Sequence, residues 1–336
     1  MSDSGTFDKI LCKGRMWLVF FCSIIGVIGV IANNETRTTS CVDNQRRGVL
    51  ISYGRSGSEA ILEAIYKLTD STVKMPQYEI LGHSPEDMER GIKENPSRVI
   101  KSWYRDHMKD YPGEIAVFKW KPHCFDDAEY LNILHYLSKE CIPVIYSHRN
   151  QLDVHISQHK HSEQSGLEAH CHEGDEKCLK AHMNVRVNIK MDHILDSFKK
   201  HEEEHAIIMH YLTLKRIRFM ELSYEELFFD NYLGRTKRLT RWEEMLKFID
   251  PEFPKNRNIT IQDLTLGGEA VTHSSSRNVT VTNYFDVKSQ ALKEHPEYAI
   301  YFDENNFPPF HNLTAFEINK LEAREKCSPR NNKQLI

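Results

Sequence analysis

Hydrophobic and polar positions alternate between two regimes along the chain. Gly48-Val49-Leu50-Ile51-Ser52-Tyr53 is a short, compact β-type run that stops at a glycine-serine turn. From Gly57 to Leu68 the spacing changes: Ala60, Ile61, Ala64, Ile65 and Leu68 recur at helical intervals. Ile115–Phe118 predicts a second strand, Ala128–Lys139 a helix and Pro143–Tyr146 a third strand. Strand and helix in alternation imply an α/β domain with a parallel sheet flanked by helices. Further on, the pattern predicts helices over Leu152–His161, Leu179–Glu204 and Arg241–Ile249, with a strand near Arg218–Leu222. From Asn256 the chain is rich in Asn, Thr and Ser and predicts surface loops with one short helix over Val287–Lys293.

One apolar run belongs to neither regime. Met16 to Ala32 carries no charge over 17 residues and follows Lys9, Lys13 and Arg15. Its length is at the short end for a spanning helix, and Val30-Ile31-Ala32 also fits a signal-peptidase site, so an uncleaved signal anchor and a cleaved signal peptide both stand. The flanking cations put the N-terminus in the cytosol. The expected organisation is a cytosolic tail over 1–15, a signal-anchor transmembrane helix over 16–32, a stem over 33–46 and a lumenal catalytic domain over 47–330.

Composition changes this picture little. The chain has 336 residues, 40% hydrophobic and 27% charged, enough for one full-sized core. A formal net charge of −4 excludes a global basic field of the kind that coats nucleic acid, so any anion site is local. Asn34, Asn258, Asn278 and Asn312 each open an N-x-[ST] acceptor sequence, which fits a lumenal domain. Of the 8 cysteines, Cys41, Cys124, Cys141, Cys171, Cys178 and Cys327 follow the apolar run. An oxidising compartment permits disulfides among them; a Cys171–Cys178 pair closes a short local loop, and Cys124 and Cys141 read as buried free thiols among core elements.

The chemistry gathers in two stretches. Tyr53-Gly54-Arg55-Ser56-Gly57-Ser58 joins a strand to a helix, where backbone N–H groups, the helix N-terminus and a guanidinium converge on an anion. It lacks the lysine and spacing of a Mg-nucleotide-hydrolysing loop. The second stretch runs from Arg149 to Ser157: the arginine ends a strand and the serine lies two turns into the next helix, both in reach of one phosphate.

Together these stretches resemble the PAPS-dependent sulfotransferase superfamily, where PAPS is 3'-phosphoadenosine 5'-phosphosulfate. The family's [KR]-[ST]-G-[ST] loop corresponds to Arg55-Ser56-Gly57-Ser58, and its R-N-x-x-D-x-x-x-S stretch to Arg149 through Ser157. Leu222-Ser223-Tyr224-Glu225-Glu226-Leu227 is similar to the Y-E-[DE]-L element, and Val281 to Asp286 to the tail of carbohydrate-directed members. Glu59 departs from the small or hydroxyl residue usual after the loop, and Tyr53-Gly54 stands where many members carry proline.

The resemblance implies a P-loop nucleotide-kinase-like fold with ligand at the C-terminal edge of the sheet. It implies PAPS as co-substrate without a metal, and a carbohydrate or other hydroxyl acceptor, in the manner of Golgi carbohydrate or trehalose sulfotransferases. Arg55, Ser56, Gly57, Ser58, Arg149 and Ser157 are then the donor-binding residues, with Arg277 as a further 3'-phosphate contact. Arg55 also stabilises charge in the transition state. Glu79 is the candidate base, His83 its reserve and His123 another option, while Lys119 contacts the sulfate or the leaving oxygen.

Other classes are set against this one. A metal-dependent Golgi glycosyltransferase shares the architecture but usually carries an Asp-x-Asp motif, which this chain lacks. A non-catalytic lectin-like protein on the same fold is marked by loss of the donor cradle, and the cradle is intact. His201-Glu202-Glu203-Glu204-His205 satisfies H-E-x-x-H, yet its charged setting reads as a solvated helix end rather than a zinc site; His155, His159 and His161 read as an exposed helix face.

Overall fold

The computed structural model describes residues 46–53, 57–71, 79–81, 95–122, 127–163, 177, 180–181, 184–229, 234–253, 259–260 and 277–303. All of these lie in one unit, Gln45–Ile336. The expected tail, anchor and stem lie outside the described residues, among which no helix is long and apolar enough to cross a membrane. Cys171 and Cys178 are outside them too.

Among the described residues, four strands form the sheet: β1 (Arg47–Ser52), β2 (Ala116–Trp120), β3 (Val144–His148) and β4 (Phe219–Ser223). All pairings are parallel and the order is β2-β1-β3-β4. Between them run α1 (Ser58–Leu68), α2 (Pro96–Asp110), α3 (Asp127–Lys139), α4 (Gln151–Glu163) and α5 (Met191–Leu214). After β4 come α6 (Tyr224–Phe228), α7 (Arg235–Ile249), α8 (Arg277–Thr280), α9 (Tyr284–Glu294) and a 3-10 helix over Pro296–Phe302.

The period of two along each strand sorts the core onto two faces. Leu50, Val117, Ile145 and Leu222 pack with α1 and α7 around Trp242, while Val49, Ile51, Phe118 and Tyr146 pack on the other side with α2, α3 and α5. Both faces are covered, as the near-continuous hydrophobic strands require. A third cluster joins α4 and the first half of α5 to α9 and the 3-10 helix. Tyr66 guards the β2 edge, since its hydroxyl donates to the Val117 carbonyl and accepts the Val117 N–H.

Several expectations shift. Residues 96–110, for which the sequence pattern predicts no element, hold α2, which starts at an Asn95 cap that accepts the Arg98 N–H, with Pro96 opening the helix. The long helix is displaced downstream, to Met191–Leu214 rather than Leu179–Glu204. Cys141 is not a buried free thiol: it is half-buried, adopts φ 54° just beyond α3 and is disulfide-bonded. The tail also returns to the core, because Val281 bridges to Val187 and Tyr301 and Phe302 are buried.

Trp242 ties α7 to the region after β4: it is fully buried and its Nε1–H donates to the Leu227 carbonyl at 2.8 Å. Replacing it with alanine is expected to lower unfolding free energy by about 3–5 kcal/mol, and replacing it with phenylalanine, which strands that carbonyl, by about 1–3 kcal/mol. Urea titration of the two variants checks the order and the sizes.

Candidate functional site

The strand order reverses between β1 and β3, because the chain leaves β1 for β2 on one side and then crosses back to β3 and β4 on the other. Loops from the C-terminal ends of β1 and β3 therefore diverge and leave a crevice, the usual ligand position in open α/β sheets. Its floor is polar. Ser52 and Ser147 are register partners on the last pair of β1 and β3, both fully buried, and neither Oγ has a hydrogen-bond partner among the described residues. Unpaired buried hydroxyls are costly unless something meets them.

At the mouth, Gly57 precedes α1 with φ 76°, in the left-handed region open to glycine, and no side chain caps the helix. Ser58, its first residue, is buried. Arg55 and Ser56 lie outside the described residues, so this half of the cradle is seen through Gly57 and Ser58.

One aromatic ring connects the two predicted motifs. A Cβ placed on Gly57 would lie 2.2 Å from the Tyr224 ring, and the Arg149 guanidinium stacks over that same ring, 4.8 Å from its centroid. Arg149 is buried, and Ser157 is buried two turns along α4. The residues between them are structural. Asn150 Oδ1 accepts the Leu152 N–H and starts α4, and its amide donates to the Tyr301 carbonyl. Asp153 holds Arg277 through two bonds of 2.8 and 2.9 Å, while Arg277 Nη1 donates to the Tyr301 carbonyl. Burial opposes the charge on Asp153, but Arg277 outweighs it and keeps the carboxyl below its usual range. The predicted phosphate ligand Arg277 is thus first of all the clamp that ties the tail to α4.

The next residue, Glu225, is 1% exposed; it accepts the Asn150 backbone N–H at 3.1 Å and has Arg149 Nε at 4.0 Å. Burial pushes its carboxyl up, Arg149 opposes, and Asp153 adds to the rise, leaving it at about 8. Sequence reasoning matched this residue to a family element without seeing that its side chain meets Arg149.

A second charged group sits at the end of β2. Lys119, 2% exposed, contacts Glu59 Oε1 at 3.0 Å and pairs with Glu79. Lys121 reaches Glu79 at 2.8 Å. Glu79 is therefore no solvated loop carboxylate but a buried partner of two lysines, and Glu59 explains itself as the link from α1 to β2. His83 and His123 lie outside the described residues.

The H-E-x-x-H stretch is not a solvated helix end. It lies in the middle of α5, with His201 and His205 both buried. His205 Nδ1 is hydrogen-bonded to the Tyr146 hydroxyl at 3.0 Å, Glu221 lies between His205 and His148, and the Tyr53 hydroxyl donates to the Glu204 carbonyl. The histidines pack α5 on the strand ends that carry both motifs. Nor is His155 exposed: it is buried beside His159. Among the described residues, no group of three or more His, Cys, Asp or Glu side chains is placed to hold a metal ion.

No family model matches the chain, and no curated protein matches it. Among solved structures, it is similar to the crystal structure of mouse sulfotransferase SULT7A1 complexed with PAP, at 16% identity over 87% of each chain and a TM-score of 0.31.

Two buried histidines link the fold to pH. Burial, then His159, His193 and His201, push His155 down to about 4; burial pushes His205 down to about 3 against the pull of Glu221. In the unfolded chain both titrate near 6.5, so the unfolded state binds the extra protons. Their contribution is intact above about pH 6.5 and is lost as pH falls toward 4. The urea midpoint is expected to drop across that window, and less steeply in the His155→Gln/His205→Gln double variant; equal slopes for the two proteins would contradict this.

Proposed function

We propose that the chain transfers a sulfuryl group from PAPS to a hydroxyl of a carbohydrate acceptor. The observation that carries this reading is the Tyr224 ring, which packs on Gly57 and under Arg149 and so draws the glycine-serine loop and the Arg149–Ser157 stretch to one crevice. Each stretch alone has an ordinary structural explanation. Two anion-binding elements at one switch point fit a substrate with two separated phosphate groups.

In this reading Arg149 and Ser157 hold the 3'-phosphate, and the 5'-phosphosulfate lies against the N-terminus of α1 with Arg55, Ser56, Gly57 and Ser58. The unpaired hydroxyls of Ser52 and Ser147 on the floor favour a polar occupant. The acceptor oxygen attacks sulfur in line, the bond from sulfur to the phosphate oxygen breaks, and that oxygen keeps the electron pair. Arg55 and Lys119 stabilise the charge that develops on the sulfuryl and leaving oxygens. Glu79 takes the acceptor's proton. Burial beside Lys119 and Lys121 supports that role, because it fixes the carboxylate and balances its charge near the end of β2.

The same reading makes the chain a single-pass type II protein of the Golgi membrane with its catalytic domain in the lumen. Support comes from the apolar run over 16–32, from the bonded Cys141 and from Asn278, an acceptor asparagine on the surface.

Calorimetric titration of the detergent-solubilised full chain with adenosine 3',5'-bisphosphate, the desulfated donor, tests the donor site. Micromolar binding is expected, and Arg149→Ala and Arg55→Ala, each folded by circular dichroism, should weaken it by roughly 2–5 kcal/mol, or about thirtyfold or more. Absence of binding by the folded wild type would sink the reading.

A further inference from the structure

Glu225 uses only half of its carboxylate. Oε1 accepts the Asn150 N–H and faces Arg149, whereas Oε2 is buried and has no hydrogen-bond partner among the described residues. A buried carboxylate with an unsatisfied oxygen is costly to keep charged, and a proton on that oxygen removes much of the cost.

The charges around it are few. Arg149 faces it from the end of β3 and Asp153 from α4, and Asp153 is itself held by Arg277 from α8. On α7, which packs against α6, Arg238 donates to the Phe228 carbonyl and Arg241 pairs with Glu226 and Glu244. Helix α1 meets α6 through Gly57 against the Tyr224 ring, and its Glu59 is turned to Lys119. Among the described residues, two arginines thus face Asp153 and a Glu225 carboxyl that is about half protonated at pH 8, so the charge of the region depends on that proton. A phosphate on Arg149 tips it toward negative charge at low local dielectric, where Glu225 already holds its proton easily.

We propose that Glu225 is a proton-linked positioning residue of the anion site: Oε1 holds the backbone at Asn150, and Oε2 takes one proton from solvent when a phosphate of adenosine 3',5'-bisphosphate occupies Arg149. This rests on the donor reading above. It gives donor binding a pH dependence that the phosphate does not supply, since a phosphate monoester with a second pKa near 6 is already a dianion at pH 8.

The test is calorimetric titration of the full chain with adenosine 3',5'-bisphosphate at pH 8 in buffers of different ionisation heat. At pH 8, where the carboxyl is about half protonated before binding, the wild type should take up as much as about half a proton, with affinity falling up to about tenfold per pH unit above pH 8. Glu225→Gln keeps an acceptor for the Asn150 N–H; it should bind with no proton uptake and with affinity flat between about pH 7 and 9. Glu226→Gln, which changes a neighbouring charge, should keep the uptake. If Glu225→Gln does not fold, Glu225→Asp serves instead and should move the pH at which uptake is greatest. Equal binding heats in every buffer for the wild type, or unchanged uptake in the Glu225 variant, would overturn the inference and leave the donor reading standing. No binding at all would overturn both.

Discussion

The contact between the Tyr224 ring and Gly57 sets the geometry on which the rest depends. Any side chain at position 57 would occupy the space of that ring, so glycine is required there twice, for φ 76° and for the close approach. Because the Arg149 guanidinium stacks over the same ring, loops leaving two different strands are held at a fixed separation. The parallel sheet makes this arrangement available: only where the strand order reverses do such loops part and leave room between them.

Behind the crevice, polar groups perform structural work that hydrophobic packing cannot do at strand ends. Asn150 starts α4, Asp153 clamps Arg277, and the His148, His205, Glu221 and Tyr146 group seats α5 on β3 and β4. Lys119 does the same for Glu59 and Glu79 beside β2. The buried members of these groups, such as Lys119, Arg277 and His205, each keep a polar partner beside them, which is the condition under which charge and polarity are tolerated inside a fold.

The α/β class, the parallel strands and the helices after β1 and β3 were legible because their apolar periods are clean. The places of Gly57 and Ser58 at a helix start, of Arg149 after a strand and of Ser157 two turns into the next helix were legible as well, since loop and helix-start patterns are local in sequence. What escaped was long-range. Helix α2 carries an Asn-Pro start and buries Ile100 and Tyr104, but its polar character hid that face. His201 and His205 read as solvated because their neighbours are charged, and only the fold shows that the strand ends and the buried Tyr146 hydroxyl await them. Arg277 and Glu225 had partners 124 and 75 residues away, with no local signal to announce them.

A crystal structure of the full chain with adenosine 3',5'-bisphosphate tests the central claim most directly, that one ring unites two anion sites into a single donor crevice. The account predicts the 3'-phosphate on Arg149 and Ser157 and the 5'-phosphate at the N-terminus of α1 beside Gly57 and Ser58. A nucleotide bound elsewhere, or with both phosphates away from the crevice between β1 and β3, would contradict it.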